Sequence, residues 1–238
     1  MSDSNKILIT YDFDWSLADK DSDHHVLEYY YPDGIGILDQ SGIWIETMQS
    51  NLKVIHSKGT TPEQIQQCLS TFPISSNMVE AILLAKKQDH SINIISDGNS
   101  LFLSTILKNY KLIDCFDNII TNEAKIEGNL ITLLPVFNTP PNCNTKANGI
   151  ENTCSVNLCK GIKVKQLKNR FDYKKTIYIG DGMNDFCAGC ALDEGDLFLV
   201  RKGRKLAKIL TTDSHQIKAK IIYWDQAKEV LDVFKKEL

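Results

Sequence analysis

"KILITYDFDWSLADKDSD", residues 6–23, runs from a short apolar segment straight into a cluster of five aspartates, Asp12, Asp14, Asp19, Asp21 and Asp23. The apolar part is near-continuous and does not alternate, the pattern of a parallel strand covered on both faces. Acids that repel one another at the end of such a strand have two explanations. One is a solvated loop; the other is a place where a cation and a negatively charged substrate belong.

Working outward, five more runs read as strands: "INIIS" (92–96), "NIIT" (118–121), "TIYIGD" (176–181), "LFLV" (197–200) and "AKIIYW" (219–224). Helical patterns lie between and after them. "SSNMVEAILLAKKQDH" (75–90) opens with two serines suited to N-caps, and "SLFLSTILKNY" (100–110) and "CKGIKVKQLKNRF" (159–171) behave likewise. "DQAKEVLDVFKKEL" (225–238) starts acidic and ends basic, as the helix dipole favours. Strand–helix alternation predicts an α/β fold, a doubly wound and mostly parallel sheet.

Two stretches break the rhythm. Residues 20–90 carry little strand signal but include a Thr-capped helical pattern, "TTPEQIQQCLSTF" (60–72), and the aromatic "GIWIETMQSNLKVI" (42–55). That length exceeds one crossover and predicts an inserted helical cap, with residues 1–19 and 91–238 forming the core domain. The second, "NTPPNCNTKANGIENTCSVN" (138–157), reads as a long loop.

Composition narrows the function. The chain has 238 residues, a net charge of −3 and no Lys/Arg block, which argues against a nucleic-acid partner. No apolar run approaches membrane-spanning length, and the N-terminal stretch lacks the pattern of a signal peptide. Seven cysteines, an odd number, and no N-x-[ST] site favour reduced thiols and a cytoplasmic location. The sequence is silent on oligomeric state. The histidines show no ligand spacing.

In an open α/β sheet the active site lies at the carboxyl ends of the strands. There stand Asp12, Asp14 and Ser16 after the first strand, Ser96, Asp97, Gly98 and Asn99 after the second, and "GDGMND" (180–185) after the fourth; Lys160 opens a helix. This ordered set resembles the haloacid dehalogenase (HAD) superfamily. "DFD…DKDSD", "IISDGNS", "NLCKG", "GDGMNDFC" and "RKG" (201–203) resemble more closely its subfamily of phosphoethanolamine/phosphocholine and pyridoxal-phosphate phosphatases, with plant relatives acting on thiamine monophosphate or pyrophosphate.

The resemblance implies a Mg²⁺-dependent phosphatase acting on a small phosphorylated metabolite through an aspartyl-phosphate. Phosphoethanolamine, phosphocholine, pyridoxal phosphate, thiamine monophosphate and inorganic pyrophosphate stand open as substrates. Asp12 would be the nucleophile and Asp14 the general acid and base, which requires a raised pKa. An acid at Asp14 favours phosphatase or phosphomutase chemistry over carbon–halogen hydrolysis. Asp12, the Asp14 carbonyl and Asp181 would hold Mg²⁺, a cation that prefers hard oxygens. Ser16, Ser96, Gly98 and Lys160 would bind phosphate, and Asn184 and Asp185 would support them, Asp185 by holding a metal water or Lys160.

Asp21, Asp23 and Asp97 are the candidates for an ammonium on the leaving group. Trp44 and Tyr29–Tyr31 read as cap packing ahead of a substrate box. Relatives carry C-x-x-C before the N-[ML]-C-K segment, a structural metal or redox cluster by type. Here ten residues separate Cys143 from Cys154, so free thiols are the expectation for Cys143, Cys154 and Cys159. Cys68, Cys115, Cys187 and Cys190 read as small buried hydrophobes. A phosphomutase and a non-catalytic phosphometabolite-binding protein are the rival functions.

Overall fold

A computed structural model describes residues 5–40, 42–137, 143, 145–147, 149–151 and 154–238. Its strands are β1 (Ile7–Tyr11), β2 (Ser91–Asn99), β3 (Asn118–Glu127), β4 (Leu130–Leu134), β5 (Lys146–Ala147), β6 (Ile150–Glu151), β7 (Lys175–Gly180), β8 (Leu197–Arg201) and β9 (Lys220–Trp224). Its helices are α1 (Ser22–Tyr30), α2 (Asp33–Asp39), α3 (Trp44–Ser57), α4 (Pro62–Leu69), α5 (Ser76–Lys87), α6 (Ser100–Asn109), α7 (Lys160–Lys168), α8 (Asp185–Gly189), α9 (Lys205–Asp213) and α10 (Ala227–Glu237).

Seven strands form one sheet in the order β4-β3-β2-β1-β7-β8-β9. All neighbours are parallel except β3 and β4, an antiparallel hairpin. The chain moves from β1 outward to β2 and β3, then returns on the other side of β1 with β7. The reversal puts a crevice between β1 and β7, where open α/β sheets bind ligands. Ile7, Leu8 and Ile9 of β1 and Ile177, Tyr178 and Ile179 of β7 are buried on both faces of the sheet. Burying each such side chain is worth about 1.5–3 kcal/mol, so the floor of the crevice is its most rigid part.

The six expected strands are present, within a residue or two at their ends except in two cases. β2 runs past Ser96 to Asn99 through a register shift between Ile95 and Asn99. β3 continues beyond Thr121 and turns at Gly128 (φ 61°) into β4, a strand the sequence reading lacks. The expected loop over 138–157 contains the two-residue pair β5–β6, while residues 138–142, 144, 148, 152 and 153 lie outside the described residues.

The helical insertion is made of α1–α4. Thr61 caps α4 through a reciprocal capping box with Gln64. Helix α5, also inside the expected 20–90 span, packs instead on β2 and α10. It is the crossover helix a parallel strand needs before β2. Ser75 occupies the N-cap position of α5 without a side-chain hydrogen bond. The lobe and the sheet share one continuous apolar cluster. No helix among the described residues is long and apolar enough to cross a membrane.

Candidate active site

β1 ends at Tyr11, so Asp12 and Asp14 lie beyond the strand. They belong to a wide helical turn over Phe13–Leu17 in which Asp14 stays extended (φ −69°, ψ 132°) and Trp15 is left-handed (φ 58°, ψ 4°). Positive φ is costly for a bulky residue and is retained where surroundings over-determine it. Those surroundings are two arginines, one the last residue of β8 and one three residues beyond it. Arg201 donates to the Trp15 carbonyl at 2.7 Å, and the Arg204 guanidinium lies 4.2 Å from the centre of the Trp15 ring.

Asp12 stands in the crevice with only 7% of its surface exposed. Its Oδ1 accepts from the Phe13 amide and lies 2.7 Å from Lys160 Nζ. Lys160, wholly buried at the start of α7, also reaches Asp185 Oδ1 at 2.8 Å. Burial alone would push its ammonium down. Asp12, Asp185 and Asp97 outweigh burial and hold it above its ordinary value.

Asp185 is the hub of the β7 end. Oδ1 receives Lys160 and the Tyr178 hydroxyl, at 2.8 and 2.7 Å, and Oδ2 receives the amides of Asp181 and Gly182, at 2.9 and 2.8 Å. Four donors fill the lone-pair sites of a carboxylate. Asp185 therefore shapes the loop and has no lone pair left for a metal. A Cβ on Gly180 would lie 2.6 Å from Asp185 Cγ, which is why glycine stands there.

Asp12, Asp181 and Asp185 each bring a carboxylate oxygen within 4.8 Å of the others. Desolvation, Asp185 and Asp181 push the Asp12 carboxyl well up. Desolvation and then Asp185 raise Asp181 to about 6, although Arg204 Nε lies 3.0 Å from its Oδ2. The buried acids thus outnumber their counter-charges. A hard divalent cation bound by Asp12 and Asp181 fits the donor set and the deficit. Ser16 Oγ donates to Asp181 at 3.2 Å.

Asp14 faces the lobe. Its Oδ1 accepts from the Ser22 amide at 2.7 Å, while Oδ2 points toward Gly98, where a Cβ would come within 3.4 Å of it. Desolvation, then Asp21 and Asp23, push its carboxyl well up. Ser96 Oγ accepts from the Gly98 amide at 3.0 Å and tightens this loop. The N-cap of α6 is Asn99, not Ser96: the Asn99 side chain accepts from Phe102.

The three acids considered for the leaving group differ in place. Asp21 caps α1, accepting from the His24 amide. Asp97 is locked from both sides, by Ser155 on Oδ1 at 2.7 Å and by the Asn184 amide on Oδ2. Asp23 is buried, takes the Trp44 indole N–H on Oδ2 at 2.6 Å and, among the described residues, has no partner on Oδ1. Burial and then Asp21 raise its pKa to about 7. Tyr30 donates to the Gln64 carbonyl, in keeping with packing within the lobe.

Several residues in the site carry no signal in the sequence reading. Tyr178 sits inside an apolar strand, Arg201 lies in the "RKG" segment with no role assigned to it there, and Trp15 meets Arg201 and Arg204 across more than 180 residues. Asn122 donates to the Asp97 and Gly98 carbonyls and accepts from Asn157, tying the β2 end to the segment before Lys160. Cys187, expected as a small hydrophobe, has its sulfur 3.1 Å from Cys154 and 3.4 Å from Cys159. Among the described residues no disulfide joins any of the cysteines.

A mostly parallel sheet with acids at the ends of β1 and β7, a buried lysine between them and a helical lobe above defines a phosphatase of the HAD type. The fold matches phosphoserine phosphatase in its phospho-aspartyl intermediate analogue form, with a TM-score of 0.65 at 13% identity, over 97% of this chain and 99% of that one. The chain belongs to the family described as "Putative Phosphatase", whose model matches residues 7–238. It is 33% identical to the thiamine phosphate phosphatase-like protein of Arabidopsis thaliana, over 94% of this chain and 92% of that protein. It is 30% identical to the pyridoxal phosphate phosphatase PHOSPHO2 of Rattus norvegicus (95% and 96% covered) and 29% identical to inorganic pyrophosphatase 2 of Arabidopsis thaliana (97% and 83%).

Proposed function

We propose that the chain hydrolyses a small phosphate monoester bearing a cationic group, through an aspartyl-phosphate on Asp12. The observation that carries this reading is the division of labour between two carboxylates two residues apart. Asp12 is held at Oδ1 by Lys160 and the Phe13 amide, which leaves Oδ2 for attack. Asp14, whose carboxyl burial and then Asp21 and Asp23 push well up, is the acid assigned to deliver the proton.

Asp12 Oδ2 bonds to phosphorus as the ester P–O bond breaks, and Asp14 delivers its proton to the departing oxygen. Water then attacks the phosphorus of the acyl phosphate, Asp14 takes the water's proton, and phosphate leaves with Asp12 restored. Lys160 supplies fixed positive charge beside the nucleophile. Ser16, Ser96 and the Gly98 amide line the phosphate side. Asp12, Asp181 and the Asp14 carbonyl are the groups that would hold Mg²⁺, which when bound neutralises phosphate oxygens.

Asp23 supports the choice of leaving group. A buried carboxylate with one unpartnered oxygen beside an indole suits an ammonium or a protonated ring nitrogen. Amine- and ring-bearing phosphates fit that description, in line with the names of the thiamine phosphate and pyridoxal phosphate relatives. Inorganic pyrophosphate offers Asp23 no cation.

The test is phosphate release from phosphoethanolamine, phosphocholine, pyridoxal phosphate, thiamine monophosphate and pyrophosphate, with and without Mg²⁺, beside Asp12→Asn. Expected are metal-dependent turnover of a cationic ester and its loss in the variant. Preference for pyrophosphate would overturn the substrate class. A folded wild type that turns over nothing would overturn the hydrolase reading.

A further inference from the structure

At the starts of α7 and α8 four sulfurs meet. Cys143 comes from the loop after β4, Cys154 from the segment after β6, Cys159 is the N-cap of α7, and Cys187 lies in α8. All four Sγ atoms fall within 4.8 Å of one another. The separations are 3.1 Å for Cys154–Cys187, 3.4 Å for Cys159–Cys187 and 3.5 Å for Cys154–Cys159. Four thiolates placed tetrahedrally about 2.3 Å from one zinc ion stand about 3.8 Å apart. We propose that Cys143, Cys154, Cys159 and Cys187 bind a structural zinc ion, a site separate from the carboxylates of the active site.

The surroundings are those of a thiolate cluster, not of four buried hydrophobes. The Gly161 amide donates to Cys187 Sγ at 3.0 Å and the Ile162 amide to Cys159 Sγ at 3.4 Å, so the first turn of α7 turns its free N–H groups onto sulfur. Thr145 Oγ1 stands 3.1 Å from Cys143 Sγ.

Gly161 is built for this contact. A Cβ there would lie 2.5 Å from the Cys187 carbonyl and 2.7 Å from its sulfur. Only a glycine lets α7 and α8 approach closely enough for Cys159 and Cys187 to share a ligand. An all-sulfur donor set selects a soft or borderline ion over Mg²⁺, so the two metals do not compete.

The position gives the site its use. Cys159 immediately precedes Lys160, and Cys187 follows Asp185 by two residues. One ion joining them fixes the starts of α7 and α8, and with them the Lys160–Asp185 pair, while Cys143 and Cys154 fasten the long loop to the same point. The ion binds no substrate: it positions the residues that do.

The full chain, purified under reducing conditions without chelators, should carry about one zinc per molecule by elemental mass spectrometry. Titrating thiols with an organomercurial should release that zinc, followed by a colour indicator. Cobalt-substituted protein should show thiolate-to-cobalt charge transfer in the near ultraviolet and tetrahedral visible bands. Cys143→Ser, at a partly exposed ligand, should lower zinc content with circular dichroism retained, and Cys68→Ser, in the lobe, should leave zinc unchanged. A folded, zinc-free wild type without cobalt charge transfer would overturn the proposal. So would a disulfide among these four cysteines in the freshly isolated protein, found by mass mapping without reduction.

Discussion

Asp185 holds Lys160: Oδ1 and Nζ stand 2.8 Å apart with both side chains wholly buried, and the Tyr178 hydroxyl closes on the same oxygen at 2.7 Å. Breaking a buried ion pair from one side costs about 3–5 kcal/mol, because the other charge is left uncompensated. Asp185→Asn is expected to lower stability by roughly that amount and kcat by about a hundredfold or more, since Lys160 loses its support. Tyr178→Phe removes one neutral donor to a charged group, worth about 1.5–3 kcal/mol. It should retain most of the activity. Chemical denaturation and steady-state kinetics on both variants check the ordering; equal effects would place Tyr178, not Asp185, at the centre of the pair.

Asp181 predicts how metal demand varies with pH. Burial and Asp185 raise its carboxyl from 3.8 to about 6, so below that pH a proton competes with the cation for the same oxygen. Above about pH 6 the Mg²⁺ concentration for half-maximal activity should be flat. Below it, the requirement should rise by up to about tenfold per pH unit, the slope of a single competing proton. Arg204→Gln removes the cation 3.0 Å from Asp181 and should move the break to higher pH. Activation curves at a series of pH values measure both; a requirement independent of pH would remove Asp181 from the metal site.

The strands were legible because parallel strands carry continuous apolar runs, and "ILIT", "NIIS" and "IYIG" leave little choice of face. β4 was not, since "LITLL" follows β3 at a turn and stays half exposed at the sheet edge, where the runs of buried strands do not apply. Asp12, Asp14 and Asp181 could be read as candidates from motifs that sit where strands end, and Lys160 from "NLCKG" at the start of a helix. Asp97 could not be judged the same way: whether its oxygens are open depends on Ser155 and Asn184, residues far away in the chain. Cys187 was invisible as a partner of Cys159 for the same reason, because the sheet crossover brings α7 and α8 together and no spacing records it.

Asp23 ties stability to pH. Its pKa is raised from 3.8 to about 7, first by burial and then by Asp21, so the folded state holds a proton that the unfolded chain releases near 3.8. Stability tied to that proton is fully present below about 3.8 and is lost progressively as pH rises to about 7. Asp23→Asn keeps a neutral side chain at every pH. Relative to wild type it should gain stability between about pH 4 and 7, reaching roughly 1–3 kcal/mol at pH 8 after discounting for the coupling to Asp21. Thermal melts of both proteins across that range check the sign. The same variant should lose preference for the cationic ester, because the oxygen it loses is the one proposed to face the leaving group.

Gln49 fastens the lobe to the sheet. From α3 its Nε2 donates to the Ile131 carbonyl at 3.1 Å, and its Oε1 accepts from the Leu133 amide at 2.6 Å. The Ile131 amide donates to His56 Nε2 at 3.2 Å, with His56 Nδ1 directed to the Thr60 carbonyl at 2.8 Å, so this ring is the neutral Nδ1–H tautomer. β4 is the terminal strand of the sheet, and these side chains occupy its outer edge as another strand would. Opening the lobe must break those bonds, while the β3–β4 pairing survives. In Gln49→Ala two backbone groups return to water, and closure weakens by about 1–2 kcal/mol. KM should rise by up to about tenfold, with kcat unchanged, or higher where release of phosphate limits turnover. Hydrogen exchange at the Leu133 amide should quicken while that at the β1 amides does not. Unchanged exchange at Leu133 together with unchanged KM would mean that the shared apolar cluster holds the lobe without help from this edge.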